Sequence, residues 1–73
     1  MGKLKVLSGQ EVCAILEAYG FRPVRQRGRH MLMQRRDQNG TTTIPVPNHD
    51  TVKAGVLSAI IRQSGVPRGA FEA

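Results

Sequence analysis

Arg22-Pro23-Val24-Arg25-Gln26-Arg27-Gly28-Arg29-His30-Met31-Leu32-Met33-Gln34-Arg35-Arg36 decides the fold, because it reads as two short strands broken at a glycine. In the first half, residues 22–27, Pro23 cannot donate to a strand ladder, which suits an edge strand or a strand's first residues. Val24 is the apolar residue of that half and is expected to be its main core contact. After Gly28 the pattern alternates: Met31 and Met33 fall on one face, and His30, Leu32 and Gln34 on the other. The same stretch holds six of the eleven basic residues and no acid. Its charge equals the formal net +6 of the whole chain, so a polyanion is the natural partner.

Working outward, Asp37-Gln38-Asn39-Gly40 is rich in turn formers and ends in an Asn-Gly pair, which predicts a hairpin. Residues 41–46 then alternate, with Ile44 and Val46 facing the core and Thr41 and Thr43 facing out, until Pro47 stops the strand. Upstream, Ser8-Gly9-Gln10-Glu11 has the spacing of a capping box. Val12, Ile15, Leu16 and Tyr19 follow it as one helical stripe, Gly20 ends the helix, and Phe21 is expected in the core. Downstream, a second helix places Val56, Leu57, Ile60, Ile61 and Ser64 on one face and closes at Gly65, before Val66-Pro67. Its start is open among Asp50, Thr51 and Gly55, and residues 68–73 read as one loose turn.

The expected fold is therefore α+β, in the order α-β-β-β-α: a three-stranded antiparallel sheet, with helices over roughly residues 8–19 and 53–64. Both helices need the same apolar sheet face, which leaves the other face open. Seventy-three residues read as a single domain, 1–73. A chain this short buries only about 60% of the surface its unfolded form exposes, so any active site should be shallow. A hydrophobic content of 40% and a charged content of 22% suit a folded chain rather than a disordered one. The N-terminal Met-Gly-Lys-Leu-Lys-Val-Leu-Ser offers only a broken apolar run, too short for a signal-peptide core or a membrane span. With Cys13 the single cysteine, no intrachain disulfide forms, and a reducing cytoplasm is the expected compartment.

Among the residues that could carry chemistry, His30 stands out, since imidazole titrates near neutral pH and His30 follows a turn among arginines. Cleaving RNA at a 2′-hydroxyl needs proton transfer and positive charge on the phosphate, which histidine beside arginine supplies. The RNA-binding set is Arg22, Arg25, Arg27, Arg29, Arg35 and Arg36. No metal or other cofactor is expected, because the two histidines and few carboxylates show no recognisable ligand spacing. His49, between Asn48 and Asp50, reads as a turn or helix-capping residue ahead of an active-site one. Cys13 reads as a buried, inert thiol, and Met31 and Met33 as core filling.

These residues in this order resemble the HicA family of bacterial toxins. The resemblance rests on Ser8-Gly9, Tyr19-Gly20-Phe21, Val24 through His30, Val46-Pro47-Asn48-His49, and Gly55-Val56-Leu57 through Ile60-Ile61-Arg62-Gln63-Ser64-Gly65. It implies a fold like that of double-stranded-RNA-binding domains. It also implies the toxin role in a type II toxin-antitoxin system: an endoribonuclease that cleaves mRNA without a metal and is held in check by a HicB-like antitoxin protein. The family's catalytic histidine, in a Gly-Ser-His motif, falls on His30; here Arg29 takes the serine's place. Two alternatives from other classes remain: a non-catalytic RNA-binding module of the same fold, and a module that mainly binds an acidic partner protein. A neighbouring antitoxin-like reading frame separates the toxin from the first of these.

Overall fold

The computed structural model describes residues 2–73. Helix α1 (Gly9–Ala18) is followed by strands β1 (Arg22–Arg27), β2 (His30–Asp37) and β3 (Gly40–Pro47), helix α2 (Ala54–Ser64) and a short 3₁₀ turn at Arg68–Phe71. The strands form one antiparallel sheet in the order β1-β2-β3. This is the expected α-β-β-β-α arrangement.

The capping box forms as read. The Glu11 N–H donates to the Ser8 hydroxyl at 3.1 Å, and the Ser8 N–H donates to the Glu11 carboxylate at 2.9 Å. These contacts with Ser8 hold the Glu11 carboxyl below its ordinary pKa. The buried stripe of α1 is turned from the expected one: Val12, Cys13 and Leu16 are buried, Ile15 is half-buried, and Tyr19 is 42% exposed at the C-cap. The helix ends at Ala18, which leaves Tyr19 at the C-cap and off the buried stripe, while Cys13 beside Val12 is buried. The N-cap of α2 is Lys53, which makes no side-chain cap hydrogen bond, so none of the three expected residues caps it. Leu57, Ile60 and Ser64 are buried, whereas Val56 is 41% exposed. Gly65, at φ 71°, ends α2 in the left-handed region that glycine enters without strain.

Both hairpins are tight. Arg27 pairs with His30 across Gly28 and Arg29, and Asp37 pairs with Gly40 across Gln38 and Asn39. In the second, the Asp37 carboxylate accepts from the Asn39 N–H at 2.8 Å, fixing the turn locally. Along β2 and β3 the alternation holds, with Met33, Ile44 and Val46 buried on the helix side. Val24 is a correction: it is 51% exposed and lies at a register break between Pro23 and Arg25, so it is not a core contact of β1. A bulge leaves its extra residue outside the ladder and bends the strand there.

One cluster joins Val12, Leu16, Phe21, Met33, Ile44, Val46, Leu57 and Ile60 with residues from both chain ends. Each fully buried side chain of this size contributes about 1.5–3 kcal/mol. The tail is more than the loose turn expected of it. Phe71 is fully buried, its carbonyl accepts from the Lys5 N–H at 2.8 Å, and the Ala73 N–H donates to the Lys3 carbonyl at 2.9 Å. No helix among the described residues is long and apolar enough to cross a membrane.

Candidate functional site

The open sheet face is built in rows across the three strands. Arg27 pairs with His30, which pairs with Pro47; Arg25 with Leu32 and Pro45; Arg22 with Gln34 and Thr43; and Arg36 with Thr41. Cross-strand partners share a face, and their Cβ atoms lie about 4.5–5.5 Å apart. Simple alternation would send Arg22 and Arg25 to opposite faces, because they are three residues apart. The bulge at Val24 corrects the parity, so Arg22, Arg25 and Arg27 stand together, all exposed. Arg29 is exposed at the β1-β2 turn beside His30.

Arg35 does not belong to this set. It shares a face with Met33 and Met31, turned toward the helices, and its side chain is only 29% exposed. Its Nη1 donates to the Tyr19 carbonyl at 3.2 Å and its Nη2 to the Ser64 carbonyl at 3.1 Å. Tyr19 is the C-cap of α1 and Ser64 the last residue of α2, so one guanidinium holds the C-terminal ends of both helices, where positive charge is favoured. The guanidinium also lies 4.6 Å from the centre of the Phe21 ring. Its buried Nε has no hydrogen-bond partner, and the Asp37 carboxylate 4.0 Å away is a charge neighbour too distant for a hydrogen bond. Of the six arginines expected to contact RNA, Arg35 is thus the one that lies on the helix side of the sheet, with both Nη groups bonded to backbone carbonyls of the protein.

At the end of the Arg27-His30-Pro47 row the sheet edge meets α2 in a groove of about 570 Å³. His30, Pro45 and Pro47 line it from the sheet, His49 and Lys53 from the connecting loop, and Val56, Ala59, Ile60 and Gln63 from α2. The exposure of Val56 is thus exposure to this groove. Both prolines lie on the edge strand, where a missing N–H is tolerated. Two backbone hydrogen bonds fix the loop: the Asn48 N–H donates to the Arg29 carbonyl at 2.6 Å, and the Gly9 N–H donates to the His49 carbonyl at 2.9 Å. His49 lies in a bend, as the turn reading expected; Lys53 rather than His49 is the N-cap of α2, and the His49 carbonyl takes up a first-turn N–H of α1. His49 is exposed, and it lines the same groove as His30.

This neighbourhood was readable in the hairpin. Counting outward from Asp37-Gly40 carries His30 opposite Pro47, two residues before His49. Cys13 lies elsewhere in the core; burial, then the nearby Glu17 charge, pushes its thiol up to about 11, leaving it protonated near neutral pH. Among the described residues, no group of three or more His, Cys, Asp or Glu is placed to hold a metal ion.

Compared with known proteins, residues 9–66 match a family model described as HicA toxin of bacterial toxin-antitoxin. No curated protein and no solved structure matches the chain.

Proposed function

The chain belongs to the HicA toxin family, the toxin half of bacterial toxin-antitoxin pairs, and from that membership we propose that it is an endoribonuclease that cleaves mRNA with His30 as a general acid or base. In this reading the whole chain, 1–73, works as one RNA-binding unit in the cytoplasm, and its antitoxin is HicB-like. The α-β-β-β-α order supports the likeness to double-stranded-RNA-binding domains. Arg22, Arg25, Arg27, Arg29 and Arg36 hold the phosphates.

The observation that carries the reading is the Arg27-His30-Pro47 row at the mouth of the groove. There an exposed imidazole stands directly across from a guanidinium that a phosphate can bridge. The imidazole removes a proton from the RNA's own 2′-hydroxyl, and the arginines stabilise charge that builds on the phosphate. No metal takes part in this route, in which the imidazole moves the proton and the arginines supply the charge. Arg29, where the family motif has serine, adds a cation beside the imidazole and removes a hydroxyl that this route does not need.

The test is induction of the wild-type and His30→Ala chains in bacteria, following growth and transcript integrity. Arrested growth with fragmented transcripts for wild type, and neither for the variant, is the expected result. Transcripts cut equally by both would overturn the assignment.

A further inference from the structure

We propose that His49 is the second proton-transfer group of this site, so that the groove between the sheet edge and α2 holds the scissile phosphate between two imidazoles. The inference rests on the reading of the chain as a ribonuclease, and it adds a residue to that reading.

Transesterification moves two protons. The 2′-hydroxyl loses one as its oxygen bonds to phosphorus, and the 5′-oxygen gains one as its bond to phosphorus breaks, giving a 2′,3′-cyclic phosphate and a 5′-hydroxyl. Entering and leaving oxygens sit on opposite sides of the phosphorus, so one side chain is poorly placed to serve both in a single step. Two groups on different walls of a groove can. His30 comes from β2, and His49 from the loop that precedes α2; both are exposed, and both line the groove.

Their backbones are tied to the same scaffold. Asn48 donates to the carbonyl of Arg29, the residue before His30, and Gly9 at the start of α1 donates to the carbonyl of His49 itself. The chain thus fixes the loop against the β1-β2 turn, which is what a two-residue catalyst requires. Charged groups near the pair are Arg27 across from His30, Arg29 beside it, Lys53 in the groove and Asp50 next to His49. Lys53 supplies a cation on the helix side of the phosphate. Pro45, Val56 and Ala59 offer an apolar surface for an unpaired base.

Purified wild type, His30→Ala and His49→Ala are assayed for RNA affinity and for cleavage across pH. Two substrates are used: an ordinary RNA, and the same RNA with sulfur in place of the bridging 5′-oxygen at the mapped cleavage position. A thiolate leaves without being protonated, so it removes the need for the general acid. His49→Ala should bind RNA as wild type does and cut the ordinary substrate about 10² to 10⁴ times more slowly. The bell-shaped pH profile of the wild type should lose one limb in each variant, and the sulfur substrate should restore cleavage in His49→Ala, which lacks the acid, but not in His30→Ala, which lacks the base. Cleavage by His49→Ala within tenfold of wild type, with an unchanged bell, would overturn this inference and leave His30 standing. A His49→Ala chain that loses RNA affinity as well as rate, with no rescue of either variant by sulfur, would make His49 structural. Wild type that cuts neither substrate would remove the ribonuclease reading itself.

Discussion

Gly9 has no room for a side chain. A Cβ there would meet the Pro47 carbonyl oxygen at 2.1 Å and the Asn48 Cα at 2.9 Å, both backbone atoms that cannot swing aside. The capping box and this close approach sit on adjacent residues, Ser8 and Gly9, so one dipeptide starts α1 and docks the end of β3 onto it. Gly9→Ala should therefore destabilise the fold by about 1–3 kcal/mol, as overpacking does, and a chain of this size should melt about 4–8 °C lower per kcal/mol. An unchanged melting temperature would contradict that account. The capping box could be read directly from the sequence because it is local; the need for glycine next to it could not, since the atoms it avoids lie some forty residues away. Phe71 was hidden for a similar reason. It follows Pro67-Arg68-Gly69 with no periodic neighbours, and only the folded chain brings it into the core.

At the scale of elements, the bulge in β1 and the clamp from β2 divide the arginines into two groups with different work. Parity puts Arg35 on the core face, two and four residues beyond Met33 and Met31, but its charge led to its being read with the RNA contacts instead. The sheet resolves the conflict by giving that charge two helix ends to hold. Hydrogen bonds from a charged donor are worth about 1.5–3 kcal/mol, so Arg35→Gln should lower stability by that order while leaving RNA affinity unchanged under conditions where the variant is folded. Arg25→Gln should do the reverse, keeping the melting temperature and weakening RNA binding. Melting curves and titrations of the two variants decide the matter, and a loss of RNA affinity in folded Arg35→Gln with no change in stability would return Arg35 to the open face. The bulge that unites Arg22 with Arg25 and Arg27 was not legible, because Pro23-Val24 also reads as an uninterrupted strand start.

For the whole molecule, order, sheet and helix spans followed from turns and periodicity, because each lies within a few residues of the signal that sets it. What needed three dimensions was the groove, where the end of β3, the loop after it and α2 converge on His30. The same assembly predicts how binding responds to salt. With exposed arginines on one face and a single strand as ligand, log affinity should fall with log salt by about 0.7 per phosphate, or roughly 2 to 3 in all for three or four contacts. A slope near zero would mean that the basic face is not the binding surface. The central claim is that this face binds RNA and His30 cuts it, and the most direct measurement is to determine affinity and cleavage side by side for purified wild type and His30→Ala, with a chelator present. The account predicts near-equal affinity, cleavage by the wild type to cyclic or 3′-phosphate ends, and a rate at least about 10² lower in the variant. Equal cleavage by both proteins, or cleavage by the wild type that the chelator abolishes, would contradict it.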